Sequence, residues 1–282
     1  LQIPHIIVCV NKMDLVDWSE EKYEKIKDDF KAFAAKLAIK DVRFVPISAL
    51  HGDNVVKRSK NMDWYNGATL MYILENIYIA SDENLIDPRC PVQYVIRPQT
   101  DEFRDYRSYA GRVAGGVLRK GDNVLILPSG FTSKIKSIDT LNGEVNEAFP
   151  PMSVAITLED DLDISRGYMI VRENNSPKVE QDIDLMMCWM NEKPMRLNGK
   201  YALFHTTQEV RCLIKEVKYK VNVNTLERIN DDKVLGLNEI ARVKLRTTKP
   251  LFFDSYRKNR ETGSLILVDE ATNETVGAGM IM

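Results

Sequence analysis

The sequence predicts a multidomain protein in which part of an α/β domain is followed by two antiparallel β-barrels. The first part of the chain alternates strand and helix periods, which is typical of a parallel βαβ unit. From Val92 onward the pattern changes to short strands separated by turn signals, which is typical of barrels. A polar break at residues 173–177 divides this β-rich part. The predicted domains are therefore residues 1–87, 88–177 and 178–282.

The chain opens on a strand pattern. Ile3 to Val10 is a nearly continuous apolar, β-branched run, which predicts a strand buried on both faces of a parallel sheet. Domains seldom begin with such a strand, because chain termini normally lie at the surface. We therefore expect that the sequence lacks an N-terminal portion of its first domain.

Two helices and a second strand complete the predicted α/β part. Asp17 or Ser19 can cap the first helix, and a second strand is predicted from Val42 to Ile47, followed by a second helix near Thr69 to Ile79. The first helix has an apolar face at a spacing of three and four residues. This face consists of Tyr23, Ile26, Phe30, Phe33 and Leu37.

The β-rich part follows in short strands with turns between them. Turns are predicted at residues 120–122, 128–130 and 141–143, where Gly stands beside polar residues or Pro. The predicted strands include Val124–Leu127, Lys134–Ile138, Val154–Leu158, Val210–Val221, Glu239–Leu245 and Ser264–Val268.

Composition excludes several classes of protein. Lys plus Arg number 39 and Asp plus Glu number 41, so the formal net charge is −2. This balance argues against a dedicated binder of nucleic acid or anionic membrane, and no apolar run approaches the ~18 residues of a membrane span. The four cysteines are far apart, which predicts reduced core residues rather than a disulfide framework or a zinc site. With no visible signal peptide, we expect a cytoplasmic protein.

Two short motifs follow the first two predicted strands. Asn-Lys-Met-Asp closes the first strand at residues 11–14, and Ser-Ala-Leu closes the second at residues 48–50. The ends of adjacent parallel strands lie on one rim of the sheet, where ligands of α/β domains bind. Together these motifs are typical of guanine recognition in P-loop GTPases. The predicted base site consists of Asn11, Lys12, Met13, Asp14, Ser48, Ala49 and Leu50.

The edge of a guanine base explains why these residue types suit it. Guanine presents N1–H and an exocyclic amino group as parallel donors, and the Asp14 carboxylate can accept from both. Asn11 can tie the two loops together through its amide, and Lys12 can lay its methylene stem over the ring. The Ala49 N–H is the expected donor to the guanine carbonyl oxygen. The alternative is that Asn11 and Asp14 only cap the following helix.

The sequence contains no Gly-x-x-x-x-Gly-Lys-[Ser/Thr] phosphate loop, and no Asp-x-x-Gly motif precedes residue 11. In P-loop proteins the phosphate loop supplies most of the phosphate binding and a Mg²⁺ ligand. We therefore expect these elements to precede residue 1, and we expect no catalytic or metal-binding residue in this chain.

Longer stretches of the sequence resemble a known family. A guanine-binding half-domain followed by two barrels is similar to the translation-factor class of GTPases, typified by elongation factor Tu. Within that class, essentially the whole chain resembles the large, GTP-binding subunit of ATP-dependent sulfate adenylyltransferase. The most specific stretch runs from Lys249 to Ile281 and reads K-P-L-F-F-D-S-Y-R-K-N-R-E-T-G-S-L-I-L-V-D-E-A-T-N-E-T-V-G-A-G-M-I. The others are N-K-M-D-L-V-D-W (11–18), F-V-P-I-S-A-L-x-G-D-N-V (44–55), W-Y-N-G-x-T-L (64–70), Y-A-G-R-V-A-G-G (109–116) and V-L-I-L-P-S-G (124–130).

The resemblance implies the C-terminal half of a P-loop GTPase domain followed by β-barrel domains II and III. It also implies a two-part enzyme of sulfate assimilation, in which GTP hydrolysis drives the formation of adenosine 5′-phosphosulfate from ATP and sulfate. The expected partner is the small catalytic subunit, and the expected cofactors are GTP and Mg²⁺. Neither nucleic acid nor membrane is expected as a partner, and this chain alone is expected to be inactive.

Two other hypotheses stay open on the sequence. The chain could be a translation factor that binds aminoacyl-tRNA, or a GTP-dependent scaffold without coupled chemistry. The balanced charge and the C-terminal stretch favour the sulfate-activating subunit over the translation factor, and only activity with the partner would separate it from the scaffold. The basic segment Arg257–Arg260, with Phe252, Phe253 and Tyr256 beside it, is the predicted partner contact, because arginine and aromatic residues are enriched in interface hot spots.

Overall fold

The computed structural model of the chain describes residue 3, residues 5–37, residue 39 and residues 41–77, 84–98 and 106–282. The chain divides into two units, Leu1–Asp82 and Glu83–Met282. No helix in these described ranges is both long and apolar enough to cross a membrane.

A parallel pair of strands organises the first unit. β1 (His5–Val10) and β2 (Asp41–Pro46) run side by side, with Val10 opposite Pro46. The expectation that β1 is buried on both faces is wrong for this chain, since most of the strand is half-buried and Cys9 is exposed. The reason is partial cover, because β2 is the only strand that hydrogen-bonds to β1 within the described residues.

Helices pack beside this pair. A 3₁₀ turn (Met13–Val16) precedes α1 (Glu20–Ala34), whose cap is Ser19, one of the two residues predicted for this role. The Ser19 side chain accepts a hydrogen bond from the Lys22 N–H at 3.3 Å. α2 (Leu70–Asn76) follows a Thr69 cap, and the predicted end of this helix at Ile79 lies outside the described residues. The core of the unit consists of Val10, Met13, Tyr23, Val45, Ile47, Met62 and Ile73.

The first barrel lies in the second unit. Its strands are β3 (Arg89–Ile96), β4 (Ser108–Arg112), β5 (Leu118–Arg119), β6 (Asn123–Leu127), β7 (Phe131–Thr140), β8 (Gly143–Val145), β9 (Glu147–Ala148), β10 (Ser153–Leu158) and β11 (Met169–Arg172). Six of them form a closed ring in the order β3-β11-β6-β7-β10-β4, because β10 pairs with both β4 and β7. The first two predicted turns lie between β5 and β6 and between β6 and β7, and the third connects β7 to β8, which begins at its last residue, Gly143.

The second barrel closes in the same way. Its strands are β12 (Lys178–Trp189), β13 (Lys200–His205), β14 (Gln208–Val221), β15 (Arg228–Ile229), β16 (Ile240–Phe253), β17 (Ser264–Val268) and β18 (Thr275–Ile281). Six strands form the ring β12-β16-β14-β13-β17-β18, since β13 pairs with both β14 and β17. The two-barrel prediction is confirmed, and each barrel has its own apolar core.

The segment predicted to contact a partner has another role in the structure. Phe252, Phe253 and Asn259 are buried, and the Asn259 side-chain amide donates to the Ala114 carbonyl of the first barrel at 2.8 Å. The partner-contact prediction is therefore wrong for these three residues, because they pack within the unit that holds both barrels.

Burial also tests the prediction for the cysteines. All four are free, and Cys90 and Cys212 are buried, as expected for reduced core residues. Cys188 is only partly buried and Cys9 is exposed, so the prediction of a core position does not hold for Cys9.

Candidate nucleotide-base site

The parallel register of β1 and β2 brings the two motifs together. Val10 and Pro46 end the strands side by side, so both motifs begin at one edge of the sheet. Two backbone hydrogen bonds extend the pairing into the loops: Ile47 N–H donates to the Val10 carbonyl at 2.8 Å, and Met13 N–H donates to the Ile47 carbonyl at 3.2 Å. The structure thus places the Asn-Lys-Met-Asp loop (residues 11–14) against the Ser-Ala-Leu loop (residues 48–50).

Asp14 is held by Ser48. The Ser48 hydroxyl is buried and donates to Asp14 Oδ1 at 2.7 Å. This hydrogen bond is the main reason why the pKa of Asp14 lies below its ordinary value, and coulombic interactions with His51 and Lys12 lower it further. Asp14 is therefore an ionised, acceptor-only group at neutral pH. A carboxylate has about four lone-pair sites, and the hydroxyl of Ser48 uses one of them.

Asn11 joins the two loops, as the sequence predicts. Its Oδ1 accepts from the Ala49 N–H at 3.0 Å and from the Lys12 N–H at 2.7 Å. The Ala49 N–H expected to meet a base carbonyl thus already has an acceptor. A base carbonyl at this position would share that donor with Asn11 or replace it.

The remaining predicted residues differ in their surroundings. Lys12 is exposed and has a left-handed backbone with φ of 65°, and Leu50 is 82% exposed, so both side chains are available on the surface of the loops. Met13 is only 1% exposed and packs with Val10, Tyr23 and Met62. Met13 therefore anchors its loop in the core rather than presenting its side chain to a ligand.

The capping alternative is contradicted for this chain. Ser19, not Asn11 or Asp14, caps α1. The short turn Met13–Val16 has no side-chain cap at its start. Asn11 and Asp14 instead accept hydrogen bonds from Ala49 and Ser48 of the other loop.

Sequence reasoning missed the residues that support these loops. The Trp18 indole donates to Asp53 Oδ2 at 2.9 Å, and the Ser59 hydroxyl donates to Asp53 Oδ1 at 2.7 Å. The Asn54 side chain is buried and donates to the Pro46 carbonyl at 3.0 Å. The available signal for Trp18, Asp53 and Asn54 was their position inside the stretches 11–18 and 44–55, whereas Ser59 lies outside both.

Within the part of the chain that the structure describes, no group of three or more His, Cys, Asp or Glu side chains is placed to hold a metal ion. The polar groups of the site are the Asp14 carboxylate, the Asn11 amide, the Ser48 hydroxyl, the Lys12 ammonium and backbone N–H groups. Such a set suits a planar heterocycle with adjacent donors and an acceptor.

Family profiles match the two ends of the chain. Residues 1–87 match the family described as "Elongation factor Tu GTP binding domain". Residues 182–282 match the family described as "GTP-eEF1A C-terminal domain-like".

Relatives of known name match the whole chain. It is 52% identical to the "Bifunctional enzyme CysN/CysC" of Mycobacterium tuberculosis, covering 100% of this chain and 46% of that protein. It is 49% identical to "Sulfate adenylyltransferase subunit 1" of Bacteroides thetaiotaomicron and 50% identical to that of Bacteroides fragilis, covering 59% and 58% of those proteins. The chain thus spans about half the length of the curated relatives it matches.

Solved structures share the fold. Sup35 complexed with GMPPNP has a TM-score of 0.64 at 21% identity, covering 99% of this chain and 69% of that one. Translation elongation factor SelB from Methanococcus maripaludis has a TM-score of 0.58 at 17% identity, covering 98% of this chain and 58% of that one. At these identities the likeness concerns the fold alone.

Proposed function

We propose a function from the premise that this chain is, over its whole length, a homologue of sulfate adenylyltransferase subunit 1 and a member of the translation-factor superfamily of GTPases. The protein is proposed to be the GTPase subunit of sulfate adenylyltransferase. It would couple GTP hydrolysis to the formation of adenosine 5′-phosphosulfate from ATP and sulfate. The relatives near 50% identity favour this function over a tRNA-binding translation factor.

The observation that carries the proposal is the contact between Asp14 and Ser48 at the rim of β1 and β2. It holds an ionised carboxylate where N1–H and the amino group of guanine would be its donors. Adenine would instead present an acceptor at N1 and no amino group at C2, which a carboxylate cannot pair with. Hydrogen bonds to a charged group contribute about 1.5–3 kcal/mol each, so the difference between the two bases is large.

The residues present fit the base of GTP. Asn11, Lys12, Asp14 and Ala49 are proposed to contact guanine, Ser48 to fix Asp14, and Leu50 to lie beside the ring; Met13 is proposed to hold the loop. The phosphates and Mg²⁺ are proposed to be held by sequence outside this chain, because this chain has no phosphate loop. When bound, GTP supplies the free energy of its hydrolysis.

The whole protein is proposed to work with a small catalytic subunit that transfers the adenylyl group to sulfate. We place this assembly in the cytoplasm, where the four free cysteines would stay reduced. No nucleic acid or membrane takes part in the proposed function.

The experiment is a coupled assay with the full-length protein that contains this chain and its small subunit. Formation of adenosine 5′-phosphosulfate from ATP and sulfate is measured with GTP, with GDP and without guanine nucleotide. The proposal expects GTP to raise product formation, with GTP hydrolysed in parallel. Equal product with and without GTP would contradict it.

A further inference from the structure

Two neighbouring residues next to the base site have a left-handed backbone. Asp17 has φ of 53° and Trp18 has φ of 52°. A bulky side chain is rarely found in this region, and such strain persists only where the surrounding structure holds it. The strained pair lies directly after the short turn that carries Asp14.

Hydrogen bonds on three sides fix Trp18. Its N–H donates to the Met13 carbonyl at 2.8 Å, its carbonyl accepts from the Trp64 indole at 3.0 Å, and its own indole donates to Asp53 Oδ2 at 2.9 Å. The Trp18 ring also packs against the His51 ring, with centroids 6.3 Å apart. The backbone bond anchors Trp18 to its own loop, whereas Asp53 and His51 belong to the Ser-Ala-Leu side.

Asp53 is fixed in turn. Its second carboxylate oxygen accepts from the Ser59 hydroxyl at 2.7 Å. Its backbone N–H donates to the Ser48 carbonyl at 3.1 Å, and its carbonyl accepts from the Ser48 N–H at 3.3 Å. A displacement of Asp53 would therefore move Ser48, whose hydroxyl holds Asp14.

We propose that Trp18 and Asp53 are positioning residues of the base site. Their hydrogen bond holds the two loops in register, so that Asp14 and the Ala49 N–H meet the same base. This inference rests on the proposed function, because it assigns the pair to guanine recognition.

Exposure explains why the site needs such support. Besides the bond from Ser48 to Asp14, the side chain of Asn11 joins the loops through Ala49, and both of these residues are exposed. Water competes for exposed polar groups, so this contact alone defines the geometry weakly. The bond from Trp18 to Asp53 is partly buried and has a carboxylate oxygen as its acceptor, so it defines the geometry more firmly. A displacement of about 1 Å in a recognition group is enough to lose most of its contribution.

The test measures base selectivity in this chain. Dissociation constants for GDP and IDP are determined by NMR titration. IDP is chosen because its hypoxanthine base lacks only the amino group that Asp14 would accept from. The variants are Trp18→Phe, Asp53→Ala, the double variant and Asp53→Asn. The matched control is Trp189→Phe, which removes the indole bond to the Lys193 carbonyl in the second barrel.

The parent chain is expected to prefer GDP by about tenfold or more, as one lost bond to a charged acceptor implies. Trp18→Phe and Asp53→Ala are each expected to reduce this preference to about threefold or less, and the double variant to reduce it no further. Asp53→Asn keeps a side-chain oxygen that can accept from the Trp18 indole, so this variant is expected to retain most of the parent's preference for GDP. Trp189→Phe is expected to leave it unchanged.

The inference is overturned if folded Trp18→Phe or folded Asp53→Ala keeps the parent's preference, or if their effects add in the double variant. If Trp18→Phe does not fold, Asp53→Ala and Asp53→Asn decide the result. A parent chain that binds GDP and IDP equally would overturn the proposed function itself, and the inference with it.

Discussion

Two glycines of the first barrel allow the cost of backbone strain to be compared with the cost of steric crowding. Both are left-handed, with φ of 63° at Gly116 and 87° at Gly121. A Cβ at Gly116 would lie 2.1 Å from the Pro88 nitrogen, whereas a Cβ at Gly121 would meet nothing within 4 Å. The backbone of Pro88 cannot move aside as a flexible side chain can, so only Gly116 is excluded from substitution by space as well as by conformation.

Gly116→Ala is therefore expected to lower the free energy of unfolding by about 3 kcal/mol or more, because backbone strain and a steric clash add. Gly121→Ala is the matched control and is expected to cost about 1–2 kcal/mol from strain alone. Urea denaturation of the two variants measures the difference. Equal losses in the free energy of unfolding would show that the backbone around Gly116 rearranges to fit the methyl group at no energetic cost.

At this scale the sequence predicts the contacts that lie inside its motifs. The sequence predicts that Asn11 ties the two loops together, and its bond from Ala49 does so, whereas the bond from Ser48 to Asp14 was not predicted. The role of Trp18 was not predictable, because its acceptor Asp53 is 35 residues away and no periodic pattern links the two. The burial of Met13 was missed for the same reason, since its neighbours Tyr23 and Met62 come from other elements.

At the scale of elements, β1 and the barrel strands differ in how well their patterns predict burial. Ser264–Val268 has the predicted bounds, because a barrel strand has a neighbour on each side. The apolar run of β1 has the pattern of a covered strand, yet an apolar pattern states what could be buried and not what covers it. The proposed domain boundaries at residues 87/88 and 177/178 remain predictions.

A charge cluster on the second barrel links three strands. Asp184 of β12 accepts from Arg242 of β16 at 2.6 and 3.0 Å and from Lys218 of β14 at 2.7 Å. These hydrogen bonds, led by those from Arg242, hold the pKa of Asp184 below its ordinary value. Because the folded-state pKa is the lower one, the stabilisation is complete above the unfolded pKa of about 3.9 and is lost as pH falls through the folded value.

Asp184→Asn is expected to lower the free energy of unfolding by about 1 kcal/mol at neutral pH, since the pair is partly exposed. The difference from the parent is expected to shrink as pH falls below about 4. Denaturant titrations at a series of pH values measure it. A difference that stays constant into acid would contradict the role assigned to the Asp184 carboxylate.

At the scale of the whole molecule, a buried ion pair joins the two barrels within their unit. Arg89 of the first barrel donates to Asp254 of the second at 2.8 and 3.1 Å, and the two side chains are 0% and 3% exposed. The Thr262 hydroxyl also donates to Asp254 at 3.0 Å. Sequence reasoning assigned this region to an external partner. Internal junctions and external interfaces are both built from charged and aromatic residues, so composition does not distinguish them.

Arg89→Met is expected to lower the free energy of unfolding by about 3 kcal/mol, because the buried Asp254 loses its two hydrogen bonds from Arg89 and keeps only the half-exposed Lys258 ammonium, at 3.5 Å, as a cation partner. Lys120→Met is the matched control, since it removes a cation from an ion pair with Glu144 that is 49% exposed on each side, and it is expected to cost about 1 kcal/mol or less. Thermal and urea unfolding compare the two variants. Losses of similar size would show that the junction does not depend on this pair.

Asp14 is proposed to recognise the guanine base, and one substitution tests this assignment most directly. In the full-length protein that contains this chain, Asp14→Asn replaces the carboxylate by an amide of nearly the same shape. Xanthine has a carbonyl where guanine has its amino group. An amide can donate to that carbonyl and still accept from N1–H, whereas a carboxylate repels it. Asp17→Asn, a nearby exposed change, is the matched control.

The measurement is sulfate-activating activity with the small subunit, comparing stimulation by GTP and by xanthosine triphosphate. Asp14→Asn is expected to shift the preference toward xanthosine triphosphate by about 100-fold or more, from charged bonds of about 1.5–3 kcal/mol and added mispairing costs. Asp17→Asn is expected to keep the parent's preference for GTP. If Asp14→Asn also keeps that preference at its original ratio, Asp14 does not read the base, and the assignment of the site is contradicted.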